Sequence, residues 1–153
     1  CSVAVFAEHP DQWRLLAEQP ELAPRAVEES MRFLGAVRAT MRFAAEEVEY
    51  RGVVFPRGTL VSVSLAGANR DPATFEAPDT FDITRARGTQ QMTFGSGIHH
   101  CLGAALARAE LQEALPVLAA VMPDLALDGP VTWKPPTFGI WGPASLPLRW
   151  RTT

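Results

Sequence analysis

At 153 residues, with 47% hydrophobic and 20% charged side chains, the chain has enough apolar surface for one core and reads as a single region, 1–153. A formal net charge of −3 excludes a simple electrostatic nucleic-acid binder, and no apolar run approaches the roughly 18 residues of a membrane span. Two cysteines, Cys1 and Cys101, make no disulfide framework and point to a reducing, cytoplasmic setting.

Ser2 to Ala7 reads as the tail of a buried helix, with no cap before it and no signal-peptide pattern. The chain does not start with methionine and is expected to be part of a larger protein; a small domain with a processed terminus is the other reading. His9-Pro10-Asp11 predicts a helix start, Trp13, Leu16 and Ala17 give that helix one apolar stripe, and Pro20 stops it. Pro24 opens a second helix, with Val27, Met31 and Leu34 on its buried face. On that helix Arg32 can pair with Glu28 or with Glu29, and spacing alone predicts a solvated bridge worth roughly 0.3–0.5 kcal/mol.

From Thr40 the period shortens. Phe43, Val48, Tyr50 and Val53 fall in short runs broken by Arg51-Gly52 and Pro56-Arg57-Gly58, and Thr59 to Val63 alternates polar with apolar. One small antiparallel sheet is expected, then a short helix at Ala66 to Asn69. Arg70 to Met92 has little periodicity but carries three apolar anchors, Phe75, Phe81 and Ile83. Irregular connections of that length inside a compact domain are usually functional. Leu102, Ala105, Leu106, Ala109, Leu115 and Leu118 predict a long helix to about Val121, which Pro116 should kink or end early. Short strand-like pieces follow, separated by Gly-Pro and Pro-Pro steps and ending in Leu146 to Trp150. No internal repeat or low-complexity tract is present.

The chemistry concentrates in Phe94-Gly95-Ser96-Gly97-Ile98-His99-His100-Cys101-Leu102-Gly103. Gly95, Gly97 and Gly103 allow positive φ and close approach to a bulky partner, and a cysteine at a helix mouth has its thiolate favoured by the helix dipole. An isolated cysteine is more often an inert small hydrophobe. A structural zinc site lacks ligands here, since there is no Cys-x-x-Cys and His9 is the only histidine beyond the adjacent His99 and His100. No base or oxyanion arrangement marks a cysteine protease.

The same stretch resembles the haem-binding signature of the cytochrome P-450 family, Phe-Gly-x-Gly-x-His-x-Cys-x-Gly, with every fixed position filled. Glu29-Ser30-Met31-Arg32 is similar to the family's Glu-x-x-Arg helix, and Asn69-Arg70-Asp71-Pro72 and Pro78-Asp79-Thr80-Phe81-Asp82 resemble the segments between them in bacterial members. The motifs cover essentially the whole chain in order.

The resemblance implies a mainly α protein with small antiparallel β-sheets (α+β), forming the C-terminal, proximal part of one larger haem-binding domain. It implies haem b (iron protoporphyrin IX), with Cys101 as the axial thiolate on iron, His99 and Arg42 on the haem propionates, Phe94 shielding the sulfur, and Gly95 and Gly103 completing the cradle. Glu29 and Arg32 become a buried structural pair. Candidate pocket residues are Val37, Arg38 and Ala39, after the Glu29 helix, and Phe138 in the last hairpin, with a solvated side chain the equal alternative for Arg38. The implied activity is a haem-thiolate monooxygenase whose distal acid/alcohol pair is expected to lie before residue 1, so that no catalytic residue is expected in this segment. Such an enzyme inserts one atom of O2 into a small organic substrate of bacterial secondary metabolism, taking electrons from a ferredoxin-type donor at the proximal face near His100 and Arg108. The family usually has an arginine where this chain has Thr80, and Arg85 or Arg87 is the expected substitute. The alternatives are a non-catalytic helper or binding protein of the same family and an inactive truncated fragment.

Overall fold

The computed structural model describes residues 1–86, 88, 90–135 and 139–151. Helix α1 (Ser2–Glu8) runs into α2 (Pro10–Glu18) through His9, and a 3₁₀ turn at Pro20–Leu22 leads to α3 (Ala23–Phe33). Each proline sits in a first helical turn, where its missing N–H has no partner to lose. The long helix α5 (Ala104–Val121) packs against α2 and α3.

The core lies where these helices meet. Phe6, Trp13, Leu16, Val27, Ile83, Leu115 and Leu125 are buried there, so the apolar stripes of α2 and α3 face inward as their periodicity predicts. Leu34 is only half-buried. Trp13 donates its indole N–H to the Met122 carbonyl at 2.8 Å, satisfying the one polar atom of the largest buried side chain. Phe6, Phe33 and Phe81 form an aromatic cluster that also takes in the His9 ring, whose Nδ1 lies 2.8 Å from the Val5 carbonyl. His9 is therefore half-buried and packed into this cluster, and among the described residues no three potential metal ligands converge.

Strand β1 (Ala39–Phe43) pairs antiparallel with β4 (Leu60–Ser64), and β2 (Val48–Tyr50) pairs with β3 (Val53–Phe55). The expected single small sheet is two separate ladders. Arg51 and Gly52 both take positive φ, at 52° and 78°, the two-residue turn that closes β2 on β3 alone. Ser64 then caps the short helix α4 (Leu65–Ala68) by accepting the Gly67 N–H at 2.9 Å. In the tail, β5 (Ala126–Leu127) pairs with β8 (Leu148–Arg149), and β6 (Thr132–Trp133) with β7 (Pro143–Ser145).

Two features of α5 differ from expectation. Pro116 neither ends nor shortens the helix, which continues to Val121 at the cost of one donor to the Gln112 carbonyl. Its apolar stripe is also divided. Leu115 is buried and Leu118 packs against the core, whereas Leu102, Ala105, Leu106 and Ala109 are exposed. With Ile98 and the outward residues of β1 to β4, they leave a large apolar surface. Among the described residues no helix is long and apolar enough to cross a membrane.

Gly35 marks where α3 hands the chain to β1. A Cβ there would lie 2.6 Å from Thr93 Oγ1 and 2.8 Å from the Met31 carbonyl. Gly35→Ala is expected to lower stability by about 1–3 kcal/mol through overpacking, read as a shifted urea midpoint with an unchanged slope.

Candidate functional site

The site is built outward from Arg32, which is 3% exposed. Its Nε donates to Glu29 Oε2 at 2.7 Å and its Nη2 to Glu29 Oε1 at 2.8 Å, a bidentate pair. The remaining donors reach backbone: Nη1 to the Asn69 and Pro78 carbonyls at 2.9 and 2.8 Å, Nη2 to the Thr80 carbonyl at 3.0 Å. A guanidinium has five N–H donors, and all are used. The spacing-based expectation of a weak solvated bridge is overturned, because the helix turns this face inward and loop carbonyls replace water.

Glu29 accepts further bonds. Arg85 Nε lies 3.2 Å from both of its oxygens, and the Asp82 N–H donates to Oε1 at 3.0 Å. Arg85 also donates to the carbonyls of Glu76, Ala77 and Thr80. The arginine missing at Thr80 is thus supplied from five residues further on, while Thr80 contributes its carbonyl to both arginines. Arg87 lies outside the described residues.

Asn69 and Thr93 extend this frame toward the cysteine loop. Asn69 Oδ1 accepts the Met92 N–H at 2.6 Å, its Nδ2 donates to Thr93 Oγ1 at 3.0 Å, and that hydroxyl donates to the Met31 carbonyl at 2.8 Å. The Asn69-Arg70-Asp71-Pro72 motif contained the residue, but nothing in its spacing disclosed this role.

Glu28 engages other partners. It pairs with Arg108 of α5 and accepts from Gln91 Nε2 at 3.1 Å. The Glu28 hydrogen bond raises the pKa of Arg108 above its ordinary value, against some desolvation. The Arg108 guanidinium then lies 4.6 Å from the Phe94 ring centroid, joining α3 to the cysteine loop through α5.

In that loop the Cys101 N–H donates to the Phe94 carbonyl at 2.9 Å and the Gly95 N–H to the Met92 carbonyl at 2.8 Å. Gly95 and Gly97 take φ of 70° and 69°, which only glycine adopts cheaply. Gly103 has an ordinary φ of −82°, so the expectation of positive φ fails there; a Cβ on it would rest 3.9 Å from Cys101 Sγ. Cys101 is exposed, two residues ahead of the α5 N-cap, and His99 is exposed in the 3₁₀ turn Gly97–His99. An exposed thiol flanked by exposed Ile98 and Leu102 presents one soft ligand on an apolar platform, a donor set that fits the face of an iron macrocycle.

Arg42 is exposed on β1, its Nη1 donating to Thr40 Oγ1 at 3.0 Å and to the Met41 carbonyl at 2.8 Å. Of the pocket candidates, Val37 forms an antiparallel bridge to Ile140, and the Trp141 N–H donates to the Ala36 carbonyl at 2.8 Å. Ala39 is half-buried at the start of β1. Arg38 stacks on Trp141, which stacks in turn on Trp133. Phe138 lies outside the described residues.

Residues 5–118 match the family model for cytochrome P450. The chain belongs to the cytochrome P450 family. It is 47% identical to luteothin monooxygenase of Streptomyces thioluteus over 94% of its length, and 43% identical to nocardicin C N-oxygenase of Nocardia uniformis subsp. tsuyamanensis over 98%. It spans 36% and 38% of those two proteins. Its fold superposes on cytochrome P450 CYP109Q5 from Chondromyces apiculatus with a TM-score of 0.91 at 35% identity, covering 99% of this chain and 39% of that one. The α+β architecture is therefore that of part of a P450.

Removing a donor from the buried frame has a definite cost. Arg32→Lys leaves loop carbonyls unpaired and is expected to lower the stability of the full-length protein by about 3–5 kcal/mol. Arg85→Lys should cost less, because the Arg85 side chain is 21% exposed. Urea denaturation of the two variants checks the order.

Proposed function

We propose that this chain is the proximal, haem-holding part of a bacterial haem-thiolate monooxygenase, and that residues 1–153 form one region of a larger haem-binding domain. The observation that carries the reading is the exposed Cys101 thiol on a loop clamped to α3 through Phe94, Arg108 and Glu28. Cys101 would ligate the iron of haem b. When bound, haem supplies the one-electron and O2 chemistry, and a thiolate ligand favours O–O cleavage.

The chain's own residues would hold and tune that group. His99 and Arg42 would donate to the propionates; among the described residues the Arg42 guanidinium bonds within its own strand and can exchange those contacts for a carboxylate. Phe94, Gly95 and Gly103 would keep water from the sulfur while letting the porphyrin approach. The frame of Glu29, Arg32 and Arg85 would keep the loop in place without touching the cofactor. Val37, Arg38, Ala39 and Phe138 would line the substrate side. The exposed apolar surface formed by β1 to β4 and the start of α5 would be covered by haem and by the rest of the protein, including the residues that deliver protons to oxygen.

The substrate would be a small organic molecule of secondary metabolism, a reading supported by the names of the luteothin and nocardicin C relatives. Electrons would come from a ferredoxin-type donor. A groove of about 590 Å³ between α3, α5 and the irregular segment is lined by Arg25 together with Arg85 and Arg108, which are paired with Glu29 and Glu28, and the Arg25 cation at this face would favour an acidic donor. Two free cysteines suit a cytoplasmic protein. The helper-protein alternative draws on the departure at Thr80, and the pairing of Arg85 with Glu29 favours the enzyme reading over it.

The full-length protein, reduced under CO, should show the red-shifted Soret band of a thiolate-ligated haem, and Cys101→Ser should abolish it. An unchanged band in that variant would remove Cys101 as the ligand. Separately, Arg42→Leu should weaken haem retention by roughly 10–100-fold, the equivalent of one charge-assisted hydrogen bond, as read by haem transfer to apomyoglobin.

A further inference from the structure

Arg38 is exposed, yet its position is defined. Its guanidinium lies 4.7 Å from the centroid of the Trp141 ring. Trp141 is fixed on its other sides: its ring stacks on Trp133 at 4.5 Å with planes 5° apart, its indole N–H donates to the Lys134 carbonyl at 2.9 Å, and its backbone N–H donates to Ala36. Such a stack uses the flat face of the guanidinium and leaves the N–H donors along its edge free. Among the described residues Arg38 has no ion pair and no side-chain hydrogen bond. Arg32, Arg70, Arg85, Arg108 and Arg151 are all paired with carboxylates.

The strand gives the direction. Side chains repeat every two residues along extended chain, and Arg42 bonds to Thr40 across one such step. Arg38 immediately precedes β1, its carbonyl accepting the Ala66 N–H at 3.0 Å, and lies four residues from Arg42, roughly 13 Å at about 3.3 Å per residue of extended chain. Across from it, the Val37–Ile140 bridge closes the loop against the last hairpin. A pre-positioned cation with open in-plane donors is built to accept a carboxylate through two parallel N–H···O bonds.

We infer that Arg38, held on the Trp141–Trp133 stack, binds a carboxylate of the substrate, so that the enzyme acts on anionic organic acids. The inference rests on the monooxygenase reading and names the substrate class of the same site. Binding at this end would hold the molecule by its acid group and present a carbon remote from it for oxidation.

The test uses full-length, haem-loaded protein and two matched probe pairs, dodecanoate with dodecan-1-ol and phenylacetate with 2-phenylethanol. Each is titrated by its perturbation of the ferric Soret band. At least one acid should bind 10-fold or more tightly than its alcohol. Arg38→Gln should erase that preference, and Arg38→Lys should keep part of it while losing the bidentate contact. Should Arg38→Gln fail to fold, Trp141→Leu removes the platform instead and should likewise erase most of the preference. Equal binding of acid and alcohol in both pairs would overturn the inference, as would a preference that survives Arg38→Gln. A fall in haem retention in Arg38→Gln would overturn it too, because the cation would then serve the porphyrin's own carboxylates. The reduced CO spectrum separates the two levels: a normal thiolate band with no acid preference sinks this inference alone, and an absent band sinks the monooxygenase reading.

Discussion

The position of the irregular segment between α4 and the cysteine loop depends on the Arg32 guanidinium. Among its described residues that segment forms no helix or strand, only isolated turn bonds such as Phe75 N–H to the Asp71 carbonyl and Thr80 N–H to the Ala77 carbonyl, so its other carbonyls need donors from elsewhere. Arg32 supplies them from the end of α3, at Asn69, Pro78 and Thr80, while Glu29 neutralises its charge from one helical turn earlier. Arg85 returns from the far end of the segment to the same carboxylate. A buried ion pair of this kind gives little net stability against an apolar replacement. What it provides is geometry: one fork-shaped donor holds three points of a loop in a single register.

The cysteine loop is held by a second, parallel connection. Glu28 lies next to Glu29 in sequence but faces a different neighbour, Arg108 of α5, and Arg108 lies on Phe94. Two adjacent carboxylates on one helix therefore organise two different elements, the irregular segment and the cysteine loop. Between them, Asn69 and Thr93 join the segment's end to α3 through side-chain hydrogen bonds. Cys101 is thus exposed on a loop whose backbone is fixed from below. That combination suits a ligand whose bond to a metal must be accessible and directionally constant.

The opposite side of the chain is organised by aromatic stacking. Segment 139–142 attaches to the stretch after α3 through backbone hydrogen bonds and through Trp141, which carries Arg38 on one face and Trp133 on the other. Strands β1 and β2, the cysteine loop and the first turn of α5 expose Phe43, Tyr50, Ile98, Leu102 and Leu106. Apolar surface of this extent ordinarily lies under another body, and the P450 relatives are more than twice the length of this chain.

Much of this was legible in the residues themselves. Proline placement located the starts of α2 and α3, 3.6-residue periodicity located their buried faces, and glycine at positions 95 and 97 announced left-handed backbone beside Cys101. Those features are local, set by dihedral preferences and side-chain spacing over a few residues. Pairings across long separations were not legible. Whether Arg32 took Glu28 or Glu29, which arginine replaced the one expected at Thr80, and whether Arg38 was solvated or stacked each depended on neighbours tens of residues away. The same holds for the α5 stripe, whose first half is apolar and exposed although its spacing matches a buried face. Sequence alone determined the elements and the glycine-rich cysteine loop; the tertiary structure decided the partners, because a charged side chain's role depends on whether packing leaves it to water or surrounds it with carbonyls and carboxylates.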